Sequence, residues 1–187
     1  MALPTARDFK TMSAWAVSRL PKAPFDGKKV DSAYPEIIRD VTKRLKLQSK
    51  IEDNSYRQGF ASYIDAWFYQ DRPEFRLPPY AEGVHDFHGL YVLFCRFAPY
   101  YVMGQGAKSW SDRAGSSYML AFSGVDVFQT QAVKDLSGRM DPHLSKYGLL
   151  RLHKAQLAQE LPPEFHFDTN LVEEKHRLYD ALFFWYD

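Results

Sequence analysis

One cysteine in 187 residues leaves nothing for an internal disulfide to join, so packing alone has to hold this chain together. Cys95 lies in the apolar run YVLFCRF, the setting of a buried and inert thiol, and a lone cysteine suits a reducing cytoplasm. Charge of one sign is not in excess either. The 24 Lys and Arg face 23 Asp and Glu, a formal net charge of +1, so no overall field draws the chain to DNA, RNA or an anionic membrane. No run of about 18 uncharged apolar residues occurs, and MALPTARDFKTMSAW has no basic segment leading into an apolar core. The expectation is neither export nor a membrane span. Repeats and low-complexity tracts are missing too, which sets aside solenoids and linker tails.

What the chain has in quantity is aromatic residues, 16% of it, within a composition 45% hydrophobic and 25% charged. That is the composition of a globular domain able to bury a core. The expectation is a single domain over 1–187, with an N-terminal helical part to about 71 and a β-containing part from about 89. Helical spacing of Phe9, Met12, Ala16, Val17 and Leu20 predicts a helix over 8–20. Ile37, Ile38, Val41 and Leu45 predict a second, with Ser32 as cap and Pro35 in the first turn. Phe60, Tyr63, Ile64, Trp67 and Phe68 stand three and four apart, which predicts a third over 55–70 against the β preference of aromatics.

Three prolines and two glycines in RPEFRLPPYAEGVHDFHG, 72–89, mark a seam. After it, LYVLFCRF reads as a central strand and YYVMG as its neighbour, with one bent strand as the competing description. GVDVF and the terminal LYDALFFWYD are further strand candidates. From Thr130 the helical period returns through Val133, Leu136, Met140 and Leu144, with a break suggested at Pro142, and KAQLAQEL makes a short helix. The fold class is α+β, a small, mainly antiparallel sheet packed against several helices.

Motifs of familiar chemistry are incomplete. In YYVMGQGAKSWSDRAGSSY the dinucleotide fingerprint fails because Ser109 stands where a third glycine is needed. The phosphate loop lacks the glycine before Lys108, and the hydrolase elbow lacks its second glycine, so Ser116 reads as a turn residue. His85 and His88 are the best metal pair, but they lack the further ligands a structural ion wants, and neither metal nor cofactor is expected. Glu173, Glu174, His176 and Asp180 read as a charged connection. Lys43, Arg44, Lys46 and Lys50 complement the dipole at a helix C-terminus, with a nucleic-acid accessory role as the alternative. The FFWYD ending reads as a buried terminal strand rather than a base-stacking platform.

One polar segment, Gln105 to Arg113, reads as a loop that carries Trp110 among charges of both signs, Lys108, Asp112 and Arg113. Trp and Arg are favoured as contact hot spots because they join large area to directional bonds. With VLFCRFAPYYVMGQGAKSWSDRAGSSY and YDALFFWYD, the chain resembles the small cytoplasmic immunity proteins that bacteria pair with secreted toxins. The resemblance implies a non-catalytic protein that binds a cognate toxin, with Gln105, Lys108, Trp110, Asp112 and Arg113 as the expected contact surface. The alternative is an enzyme acting on a small molecule through a nonlocal site of His88, Glu174 and His176.

Overall fold

In a computed structural model of the chain, the residues described are 6–23, 30–52, 60–78, 83–111, 120–165 and 176–186. The first expected helix is α1, Ala6–Ser18, which buries Met12 and Ala16. The second, α2, runs Val30–Leu45 and buries Tyr34, Ile37, Ile38 and Val41, one stripe at helical spacing. It begins before Ser32, so Ser32 and Pro35 both lie inside it. It ends at Lys46, which is in the left-handed region at φ 53°.

The chain then extends as β1, Gln48–Glu52, and the expected helix over 55–70 gives way to two strands, β2, Phe60–Ala61, and β3, Tyr63–Tyr69. Every residue of β3 is buried. A strand covered on both faces is apolar at nearly every position, so it meets a helical spacing by default, and the β preference of aromatics decides. The expected helical N-terminal part thus contributes two strands to the main sheet. β4, His85–Cys95, and β5, Tyr100–Trp110, form the expected strand pair across the tight turn at 96–99. Tyr34 of α2 pins that turn, its hydroxyl donating to the carbonyls of Cys95 at 2.6 Å and Ala98 at 3.2 Å.

From Thr130, whose side chain accepts from the Val133 amide, α3 runs Gln131–Ser145 and passes through Pro142 without a break. β6, Leu150–Arg151, and α4, Lys154–Leu157, follow. Two strand expectations are corrected. GVDVF enters the short 3-10 turn Phe122–Gly124 and then runs outside any ladder. LYDALFFWYD opens as α5, Leu178–Leu182, with only β7, Trp185–Tyr186, extended and paired to β2; Trp185 is half-buried.

The sheet order is β1-β3-β4-β5-β6, antiparallel except for the short β5–β6 ladder. The α+β class with a mainly antiparallel sheet is therefore what the chain forms. Side chains alternate between its faces. Phe94 meets Tyr34 of α2 at 4.9 Å between ring centroids, and Tyr101 hydrogen-bonds Asp141 of α3, so this face carries α2 and α3. The opposite face carries α5 near Cys95, whose thiol is 3.6 Å from the Leu182 carbonyl. Ser13 of α1 donates to the Ala181 carbonyl at 2.9 Å and binds α1 to α5.

Cys95 is fully buried, and that burial pushes its thiol up to about 11 against the backbone hydrogen bonds of Phe97 and Ala98. A maleimide reagent at pH 8 is expected to leave the native protein unlabelled by mass spectrometry and to label it once in denaturant. Rapid labelling without denaturant would contradict the burial.

Candidate functional site

The face opposite α2 and α3 is concave. In a flat sheet β1 and β5, with two strands between them in the order, would stand about 14 Å from one another. Here Lys108 of β5 pairs with Glu52 of β1, and Lys50 Nζ of β1 lies 4.0 Å from the Trp110 ring centroid on β5. The sheet has coiled until its corners meet. Gly89 and Gly106 are direct register partners, and the Trp67 ring lies over them, its Nε1 donating to the Gly106 carbonyl at 3.3 Å. A side chain at Gly89 would fill the space the ring occupies.

Around Trp67 the rings form a continuous set. Tyr69 stacks on it at 4.7 Å, Trp110 meets it edge-on at 5.9 Å, and Phe87 and His85 both stack on Trp110, at 5.4 and 5.6 Å. His85 is exposed and Trp110 half-buried, so this end of the set reaches the surface. Arg76 stands over Phe87 and is held by two hydrogen bonds to Asp71, at 3.1 and 2.7 Å. An open cleft of about 210 Å³ lies there, lined by Asp71, Arg76, Val84, His85 and Asp86 among others.

Beneath the rings sit charges that burial makes costly. Lys108 is 2% exposed and its ammonium also lies over Tyr91, 5.3 Å from the centroid. Asp65, also 2% exposed, is the direct register partner of Glu52, and its Oδ1 finds no hydrogen-bond partner. Burial pushes the Asp65 carboxyl up to about 8, with Lys108 opposing the shift and Glu52 adding to it. At neutral pH the group is therefore a neutral acid, and the Lys108–Glu52 pair is balanced without it. Lys50 is drawn below the usual lysine range, by burial first and Lys108 second.

The structure redistributes the residues expected at a contact loop. Residues 105–110 belong to β5, not to a loop. Gln105 is buried, and its Oε1 accepts from the amides of Gln129 at 2.8 Å and Thr130 at 2.9 Å, which seats the start of α3. Lys108 is spent on Glu52. Trp110 alone of the three reaches the surface. Asp112, Arg113 and Ser116 lie outside the described residues. His85 and His88, three apart on a strand, fall on opposite faces and cannot share an ion; His88 contacts Gln105 at 3.3 Å and is held below the usual histidine range by burial. Glu173 and Glu174 lie outside the described residues, while His176 is buried beside α5 and Asp180 accepts from the Arg177 amide at 2.7 Å.

Among the described residues no three His, Cys, Asp or Glu side chains are placed to hold a metal ion, and no helix is long and apolar enough to cross a membrane. A second charged group, in which Asp126 takes hydrogen bonds from Arg151 at 2.7 Å and the Lys154 amide at 2.8 Å, fastens the segment after the 3-10 turn to β6 and α4. Sequence spacing set Trp67 on an expected helix and gave Glu52 and Asp65 no role. A signal for Asp65 was present, since it is the one charge in FASYIDAWFY. Comparison with protein-family models, with curated proteins and with solved structures gives no match.

Proposed function

We propose that the chain is a non-catalytic, cytoplasmic protein that neutralises a cognate bacterial toxin by direct contact. The observation that carries this reading is the Trp110 platform. It is an aromatic anchor ordered before any partner arrives, stacked on Phe87 and His85 and covered by Lys50, with Arg76 at its rim. Preordered aromatics beside cations are what tight contacts use, because little side-chain entropy remains to be lost on association. The proposed contact surface keeps Trp110, Asp112 and Arg113 and takes His85 and Arg76 in place of Gln105 and Lys108.

The test is affinity capture from the native cells, followed by expression of the captured partner with and without this chain. A stoichiometric partner that is toxic alone and harmless in the pair is the expected result. His85→Ala with Arg76→Glu, both at the surface, is expected to weaken that pair at least tenfold, an effect of about 1.4 kcal/mol, at an unchanged melting temperature. Absence of a partner whose toxicity is suppressed would overturn the reading.

A further inference from the structure

The outer edge of β1 is open. The strand ends the sheet order, and no described segment pairs with Gln48, Ser49, Lys50 or Ile51 on that side. Natural sheets guard such edges with very short strands, proline or outward lysines. β1 has five residues and no proline, and its lysine, Lys50, is folded inward over Trp110. Ile51 beside it is 48% exposed.

The charges around that edge are uneven. Lys43 and Lys46 are exposed and have no ion-pair partner among the described residues. Among the described residues, the carboxylates of β1 and of the last turns of α2 are committed elsewhere, Asp40 to Arg44 at 2.5 Å and Glu52 to Lys108. A positive edge selects an acidic occupant. The backbone selects its kind: a strand edge offers N–H donors and carbonyl acceptors in alternation, which an extended peptide matches residue by residue, whereas nucleic-acid phosphates only accept.

We propose that β1 takes an extended, acidic segment of the partner protein as an added strand, with carboxylates meeting Lys43 and Lys46 and an apolar side chain covering Ile51. The proposal rests on the reading of the chain as a protein-binding module. It joins the edge to the Trp110 platform through Lys50, so that one partner covers both.

The experiment uses the full chain and four fluorescent eight-residue peptides read by anisotropy: one alternating Glu with Val, its Lys-for-Glu counterpart, and two forms of the acidic peptide N-methylated at alternate residues, one in each phase. A single-stranded oligonucleotide is the fifth probe. The acidic peptide is expected to bind at least tenfold tighter than the basic one, to shift the backbone amide resonances of residues 48–52, and to lose binding in one N-methyl phase only. Lys43→Glu with Lys46→Glu is expected to reverse the preference between acidic and basic peptides while the protein stays folded, with only the small fall in melting temperature that two acidic residues at a helix C-terminus bring. Equal binding of both peptides, indifference to N-methylation in either phase, or tighter binding of the oligonucleotide would each overturn the proposal. A captured toxin that the Lys43→Glu, Lys46→Glu variant still neutralises at native affinity would overturn it too, and would leave the proposed function standing.

Discussion

Alanine at position 89 is expected to destabilise the protein by about 3 kcal/mol, read as a fall of roughly 6–12 °C in melting temperature. A Cβ at Gly89 would lie 2.3 Å from Trp67 Cε2, far inside contact distance. The ring has nowhere to go. It is fully buried, stacked on Tyr69, edge-on to Trp110 and hydrogen-bonded to the Gly106 carbonyl. Relief has to come from the sheet, which would uncoil and part Lys108 from Glu52. Gly138 of α3 supplies the contrast, since a Cβ there meets nothing within 4 Å. Gly138→Ala is expected to raise stability by about 0.5–1 kcal/mol through helix propensity alone. Equal effects at the two positions would show that the Trp67 ring does not rest on β4.

Replacing Asp65 by asparagine is expected to stabilise the protein at pH 7 by on the order of 2–4 kcal/mol. The sign follows from the carboxyl being at about 8 in the fold against an ordinary 3.8. Between those values the unfolded chain is ionised at Asp65 while the folded chain keeps the proton, so the folded state binds more protons. The stability this group lends at low pH is full below about 4 and is lost as pH rises towards 8, at about 1.4 kcal/mol per unit, after which the curve levels. Denaturant titrations of the native chain and of Asp65→Asn from pH 5 to pH 9 isolate the group, because every other carboxylate is common to both. The gap between the two curves is expected to widen with pH up to about 8 and then stay constant. A gap that narrows with pH would mean the Asp65 carboxylate is stabilised by Lys108 more than burial penalises it.

Much of the fold was legible where a single periodicity acts on a one-sided element. Tyr34, Ile37, Ile38 and Val41 mark α2, and Val133, Leu136, Met140 and Leu144 mark α3, because each helix buries one stripe and exposes the other. The halves of β4 and β5 next to their turn were legible as apolar runs on either side of Pro99; their far halves, across Gly89 and Gly106, were not. β3 was not, because a strand buried on both faces has no polar alternation to betray its period. The candidate site was hidden for a different reason. Lys50, Glu52, Asp65, Trp67, Lys108 and Trp110 come from three strands, and they meet only because the sheet coils across Gly89 and Gly106. Coiling is a property of the assembled sheet. A loop drawn through Gln105 and Lys108 from their polarity missed that a buried carbonyl and a buried ammonium can each be answered inside the fold.

The bond between Ser13 and the Ala181 carbonyl joins residues 168 positions apart, and Ser62 reaches the Leu182 carbonyl across 120. On the ribosome, β4 and β5 can pair as soon as the turn between them has emerged. α1 cannot dock until α5 has been synthesised, so a segment made well before its partner waits longest to find its place. Closing so long a loop is slow, and until it closes Met12 and Ala16 have no α5 to cover them. The vulnerable interval in the life of this protein is thus the one between the synthesis of α1 and that of α5, when a chaperone holding α1 would matter most.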